Sequence, residues 1–165
     1  MPRSIRRKRR RRVAALLIVL GIVATYLLGP RPSYPDIDPE VKALALPVDK
    51  VEEYVAQQEA KFDLLKPDNQ SRIIWARDSA QLTEYSIVYL HGFSASPMSG
   101  DPVVTNLAKW YGCNLYMPRL AGHGLDSKES FAELTPNDLV QSAAEALAIG
   151  KVIGKKTIVV GSSTG

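Results

Sequence analysis

The second half of this chain alternates β-like runs with capped helical segments, and that order leaves few architectures open. Arg72-Ile73-Ile74-Trp75-Ala76 and Tyr85-Ser86-Ile87-Val88-Tyr89-Leu90 are rich in β-branched and aromatic residues and read as strands. Asp101-Pro102 supplies a helix start, with Val103, Val104, Leu107 and Tyr111 on one side and Gly112 as terminator. A strand follows at residues 114–117. Thr135-Pro136-Asn137-Asp138 repeats the start signal, with an acidic residue three after the cap, ahead of Leu139, Val140, Ala143, Ala144 and Leu147; that helix is expected to end near Gly150. Lys155-Lys156-Thr157-Ile158-Val159-Val160 then has the composition of a central strand covered on both faces. The order β-α-β-α-β predicts an α/β fold with a mostly parallel, doubly wound sheet.

Directly after that last apolar run stands Gly161-Ser162-Ser163-Thr164-Gly165, a G-x-S-x-G pattern. In such an elbow a strand turns sharply into a helix, the central serine sits strained at the apex, and small residues on either side leave room for the turn. Only Ser163 is centred between the glycines, Gly161 and Gly165; Ser162 is a variable position. The alternative is an ordinary flexible loop. A second chemical signal, His91-Gly92-Phe93-Ser94-Ala95-Ser96-Pro97, follows the strand that closes with Leu90, at the carboxyl end where open α/β sheets bind ligands.

The His91-Gly92-Phe93 loop, the later Pro118-Arg119-Leu120-Ala121-Gly122-His123-Gly124 loop and the elbow 72 residues after His91 together resemble the α/β-hydrolase superfamily, above all its carboxylesterase and monoacylglycerol-lipase-like serine hydrolases. The resemblance spans residues 71–165. It implies Ser163 as the nucleophile toward a small-molecule ester or acyl substrate, with an oxyanion hole made by the backbone N–H groups of Phe93 and Thr164 and no cofactor. His91, Gly92, Gly161 and Gly165 are the supporting motif residues. Thr164 departs from the bulkier residue more familiar at that place, which bears on substrate class and not on the elbow. In this superfamily the triad runs serine, then acid, then histidine along the chain. His91 and His123 precede Ser163, so they read as shaping residues of their loops. The implied base and carboxylate fall beyond residue 165, and domains of this kind need about 200–250 residues. The chain is therefore expected to be the N-terminal part of a longer enzyme, truncated after its nucleophile, with activity only in the full-length protein.

Other residues read more plainly. Ser94 and Ser96 either line a pocket or satisfy turn backbone. Trp75 and Trp110 read as core or interface packing residues rather than substrate platforms, and the single cysteine, Cys113, as a buried core residue. No His/Cys/Asp spacing points to a metal, and no glycine-rich turn after a strand points to a nucleotide.

The amino-terminal segment is unlike the rest. Eight of the 21 Lys and Arg residues lie in the first twelve positions, leaving 13 basic against 17 acidic residues elsewhere, a formal −4. The basic character is thus local, and a nucleic-acid partner is not expected. Arg6 to Arg12 run into 18 uncharged residues, 13–30, at the short end of the ~17–25 that cross a bilayer as a helix. The positive-inside rule keeps the basic end cytoplasmic and exports the remainder of the chain. A cleavable signal is the rival, but Ile22-Val23-Ala24 and Leu27-Leu28-Gly29 both place a bulky residue where a small one is wanted, so an uncleaved anchor in the lipid bilayer is expected. The organisation is then a basic head, 1–12; a transmembrane anchor, 13–30; a proline-rich linker read as a stalk, 31–48; and the incomplete hydrolase-like domain, 49–165. Asp49 is expected to cap a helix with Val51, Tyr54, Val55 and Phe62 on one face. A non-catalytic anchored binding module, or a peptidase or thioesterase on the same scaffold, are the competing readings.

Overall fold

In a computed structural model the structure describes residues 3–29, 31, 36–127 and 129–165. The chain divides into two units, Met1–Tyr34 and Pro35–Gly165. The first holds helix α1, Arg3–Leu28, in which the basic head and the apolar segment are one continuous helix. Its stretch Arg9–Leu28, 20 residues, is long and apolar enough to cross a membrane, and its large apolar side chains are exposed. Pro30 of the expected anchor and Pro32 and Pro35 of the linker lie outside the described residues.

The second unit is mixed α/β. Its elements are α2 (Val51–Glu59), β1 (Arg72–Ile74), β2 (Thr83–Leu90), α3 (Val103–Tyr111), β3 (Asn114–Met117), α4 (Pro136–Ile153) and β4 (Gly154–Gly161), with single 3₁₀ turns at Val48–Lys50 and Pro97–Gly100. The four strands form one sheet in the order β1-β3-β2-β4. β2 is parallel to both β3 and β4, while β1 runs antiparallel to β3 with Ile73 opposite Tyr116. Helices cover both faces. Val88 and Leu90 of β2 pack with Tyr116, Val51, Val55, Ile149 and Ile153 on the α2/α4 side. Ile87 and Tyr89 pack with Leu115, Met117, Val104, Ala108 and Cys113 on the α3 side. Each such buried aliphatic side chain contributes about 1.5–3 kcal/mol relative to exposure, so β2 is the spine of the unit.

Local signals place most boundaries. Thr135 accepts from the Asp138 N–H at 3.2 Å while Asp138 accepts from the Thr135 N–H at 2.9 Å, a complete capping box with Pro136 at the first position. Gly112 ends α3 in the left-handed region at φ 60°. Buried Asn114 joins three elements: its side-chain amide donates to the Gln81 and Ile153 carbonyls, and its oxygen accepts from the Ala76 N–H.

Four expectations change, and the two tryptophans part company. α4 does not stop at Gly150 but runs to Ile153, because this glycine is a packing position: a Cβ there would stand 2.5 Å from a Val88 methyl. β4, whose composition suits a covered central strand, is outermost of the four described strands, with Ile158 and Val159 43% and 47% exposed. Asp49 falls in the 3₁₀ turn before α2 and caps nothing, and Phe62 lies beyond that helix. Residues 36–47 are no free stalk: Leu44 and Leu46 pack on the core, and Asp38 exchanges hydrogen bonds with Asn137 and Gln141 of α4. Trp75 packs on the core as expected, whereas Trp110 is 79% exposed.

Candidate functional site

Because β2 and β4 are parallel neighbours with Leu90 opposite Gly161, the residues after them leave the sheet together. The Ser162 N–H donates to the Leu90 carbonyl at 3.1 Å, and the Gly165 N–H returns to the Ser162 carbonyl at 3.0 Å. This closes a four-residue turn with Ser163 at its first central position and at φ 56°. Thr164 is not left-handed, so the turn has the sign pattern of type II′. A serine held at positive φ costs on the order of 1–3 kcal/mol. Gly161 and Gly165 are the residues that make room for it. A Cβ on Gly161 would lie 2.3 Å from the Gly165 carbonyl oxygen, and one on Gly165 would lie 2.0 Å from the Leu90 carbonyl oxygen.

The loop after β2 touches this turn. A Cβ on Gly92 would stand 3.1 Å from the Ser162 carbonyl oxygen and 3.2 Å from the Ser163 Cβ. The Gly92 carbonyl accepts from the Ala95 N–H, and Ser94 sits at φ 59°. Among the described residues the backbone N–H groups of Gly92, Phe93, Ser163 and Thr164 meet no acceptor. Phe93, Ser163 and Thr164 are exposed.

Both histidines are buried, and their hydrogen bonds determine their tautomers. His91 Nε2 accepts from the Leu120 N–H at 3.1 Å, so its proton sits on Nδ1, which faces the Gly92 carbonyl at 2.9 Å. His123 Nε2 accepts from the Ser94 N–H at 3.0 Å, and its Nδ1 faces the Ala121 carbonyl at 2.8 Å. Neither ring keeps a free nitrogen for a serine proton. Burial holds the His91 pKa below the ordinary imidazole value, opposed by the hydrogen bond to the Gly92 carbonyl and aided by the positive charge of Arg119.

Arg119, which the sequence presents only as part of the Pro118–Gly124 loop and without a role of its own, anchors that loop. Its nearly buried guanidinium donates from Nε to Glu59 Oε2 at 2.9 Å and from Nη1 to the His123 carbonyl at 3.0 Å, and it lies 4.1 Å from the Phe62 ring centroid. Ser71 completes the junction by donating to Glu59 Oε1 and accepting from the Arg119 N–H. Gly124, at φ 69°, is tied to this side chain, since a Cβ would meet Arg119 Cδ at 2.7 Å. The only advance signal for the arginine was an isolated charge inside an otherwise apolar and glycine-rich loop.

A polar cleft of about 520 Å³ lies beside the first loop, lined by Ser94, Ser96, Ser99, His123 and Phe131; Ser163 does not line it. The Ser96 main-chain carbonyl accepts from the Ser99 N–H and hydroxyl. Cys113 is buried, and burial pushes its thiol pKa up. Among the described residues no group of three His, Cys, Asp or Glu side chains could hold a metal ion. The chain matches no protein-family model and no curated protein.

Proposed function

We propose that the chain carries the nucleophile half of a membrane-anchored serine hydrolase of the α/β-hydrolase type, cleaving carboxylic esters or related acyl substrates through an acyl-serine intermediate. One observation carries this reading: Ser163 is held at positive φ on a tight turn at the end of β4, directly against Gly92 of the loop after β2. Further support comes from the strand order, with the two chemical loops at the carboxyl ends of adjacent parallel strands.

In this reading Ser163 Oγ attacks the acyl carbon as its proton passes to a general base. The carbonyl oxygen takes up negative charge and accepts from the Phe93 and Thr164 N–H groups, each worth on the order of 3–4 kcal/mol to the transition state. The tetrahedral intermediate then expels the alcohol, which takes the proton from that base, and water repeats the sequence to free the serine. His91 and His123 are both committed to loop backbone, so neither is the general base of this reading. The activity is proposed for the full-length protein. There Ser163→Ala should abolish hydrolysis of short-chain aryl esters, and parental rates in that variant would reject the nucleophile.

The anchor is residues 13–30, with the basic head cytoplasmic and the domain exported. A reporter fused after Pro47 tests this, and reporting from the cytoplasm would overturn it. A second reading, a non-catalytic anchored binding module, draws on the engagement of both histidines. An organophosphonate separates the two, since it labels the serine of a hydrolase and leaves a binding module unmodified.

A further inference from the structure

The two histidines are each explained locally by a bond to a neighbouring carbonyl, yet their other nitrogens cross between loops in opposite directions. His91 stands on the loop after β2 and takes the Leu120 N–H of the loop after β3. His123 stands on the loop after β3 and takes the Ser94 N–H of the loop after β2. The rings meet edge to face, 4.8 Å between centroids at 72°, and are 0% and 1% exposed. Phe131 closes over His123 at 4.9 Å, with Phe93 at 5.6 Å.

We propose that His91 and His123 act together as a reciprocal clasp that positions the Gly92–Ser94 backbone beside Ser163, and that the clasp holds only while both imidazoles are neutral. A single crossing bond would let one loop pivot about it; two bonds with donor and acceptor exchanged fix their relative rotation as well. The bond to Ser94 pins the Phe93–Ser94 peptide and a residue in the left-handed region, so the chain on the far side of the Gly92–Phe93 peptide, whose N–H the proposed site would use, is fixed by His123. A second proton on either ring would set an Nε2–H against a backbone N–H and break the crossing bond. Among the described residues the charged groups named against the pair are cationic or already engaged. Arg119, whose Nη1 donates to the His123 carbonyl, is cationic, the facing imidazole is the other member of the pair, and Lys66 lies along the same cleft. Glu59 of α2 is already paired with Arg119. Burial first, and then the charge of Arg119, hold the His91 pKa low.

The positioning half of this inference rests on the reading of Phe93 as an oxyanion donor; the clasp itself rests on the hydrogen bonds. The test is nitrogen-15 NMR and amide exchange on the full chain in lipid nanodiscs at pH 7.5. Both imidazoles should be in the Nδ1–H form, with the Ser94 and Leu120 amides protected. His123→Phe, which keeps an aromatic ring against Phe93 and Phe131, should raise Ser94 exchange about fivefold or more while Ala144 in α4 changes less than about twofold. His123→Gln, whose amide oxygen can take the place of Nε2, should restore protection. Lowering the pH through the histidine titration should release Ser94 and Leu120 together. An Nε2–H tautomer on either ring, unchanged Ser94 exchange in His123→Phe, or independent release of the two amides overturns the clasp.

In the full-length enzyme, His123→Phe should lower kcat for an aryl ester at least about tenfold with KM near the parent value, and His123→Gln should recover most of it. Released Ser94 exchange with unchanged kcat overturns the positioning role. An inactive parent rejects the hydrolase reading instead, and the tautomer and exchange results are unaffected by it.

Discussion

Strands β2 and β4 are parallel neighbours of similar character with opposite surroundings. β2 contributes Ile87, Val88, Tyr89 and Leu90 to both faces of the core, each less than a tenth exposed. β4 contributes Ile158 and Val159 in register with Ile87 and Val88, and both remain more than two-fifths exposed because no described element covers them. Yet the chemically suggestive turn comes after β4 and not β2. The difference shows that apolar composition reports which faces a strand is suited to cover, while sheet order decides which of them is covered. It also separates the two sides of the candidate site. The loop after β2 is held by crossing hydrogen bonds and buried rings, whereas the turn after β4 is held by two backbone bonds and three fitted glycines.

Core truncations should show the contrast most strongly. Ile87→Ala, at 1% exposure, should lower unfolding free energy by about 2–5 kcal/mol, and Ile158→Ala by about 1 kcal/mol or less. Denaturant titration of the two variants measures this, and equal losses would break the comparison. Next in size, Gly161→Ala should cost about 1–3 kcal/mol, because its Cβ would stand 2.3 Å from the Gly165 carbonyl oxygen; loss of the Ser162-to-Leu90 hydrogen bond in amide exchange is the structural readout. Thr135→Ala should cost about 1 kcal/mol through the cap of α4, the helix that covers Val88.

The pH response sharpens the same contrast. The native His91 pKa lies below its unfolded value of about 6.5, so the stability it contributes is present above that pH and is lost as the pH falls below it toward the native pKa. The denaturant midpoint should therefore drop on acidification through this window, and His91→Gln should flatten that slope. The smallest effect is at the far end of the strand pair, where Glu84 bridges Lys155 and Lys156 at 3.1 and 3.3 Å in the open. Glu84→Gln should leave the unfolding midpoint within scatter and change only its salt dependence.

Much of the architecture was legible because its signals are local. The Thr135–Asp138 box, the Gly112 terminator and the strand at residues 114–117 each act within a few residues of chain. Misread features depend on distant partners. Gly150 reads as a stop until Val88 is seen packed against it, and Leu44 and Leu46 read as linker until the core receives them. In the site, the elbow glycines and the His-Gly-Phe loop stand out as motifs. The exchange of N–H groups between His91 and His123, and the Arg119–Glu59 pair spanning 60 residues, arise only when loops meet.

The central claim is that Ser163, and not its neighbours Ser162 or Ser94, is the group that becomes acylated. Mass spectrometry of the full-length protein quenched during turnover of an aryl acetate tests it most directly. The expected result is one acetyl group on the peptide containing residues 161–165, assigned by fragmentation to Ser163 and absent from Ser163→Ala. Acetylation at Ser162 or Ser94, or sustained turnover with no serine adduct and undiminished in Ser163→Ala, would contradict it.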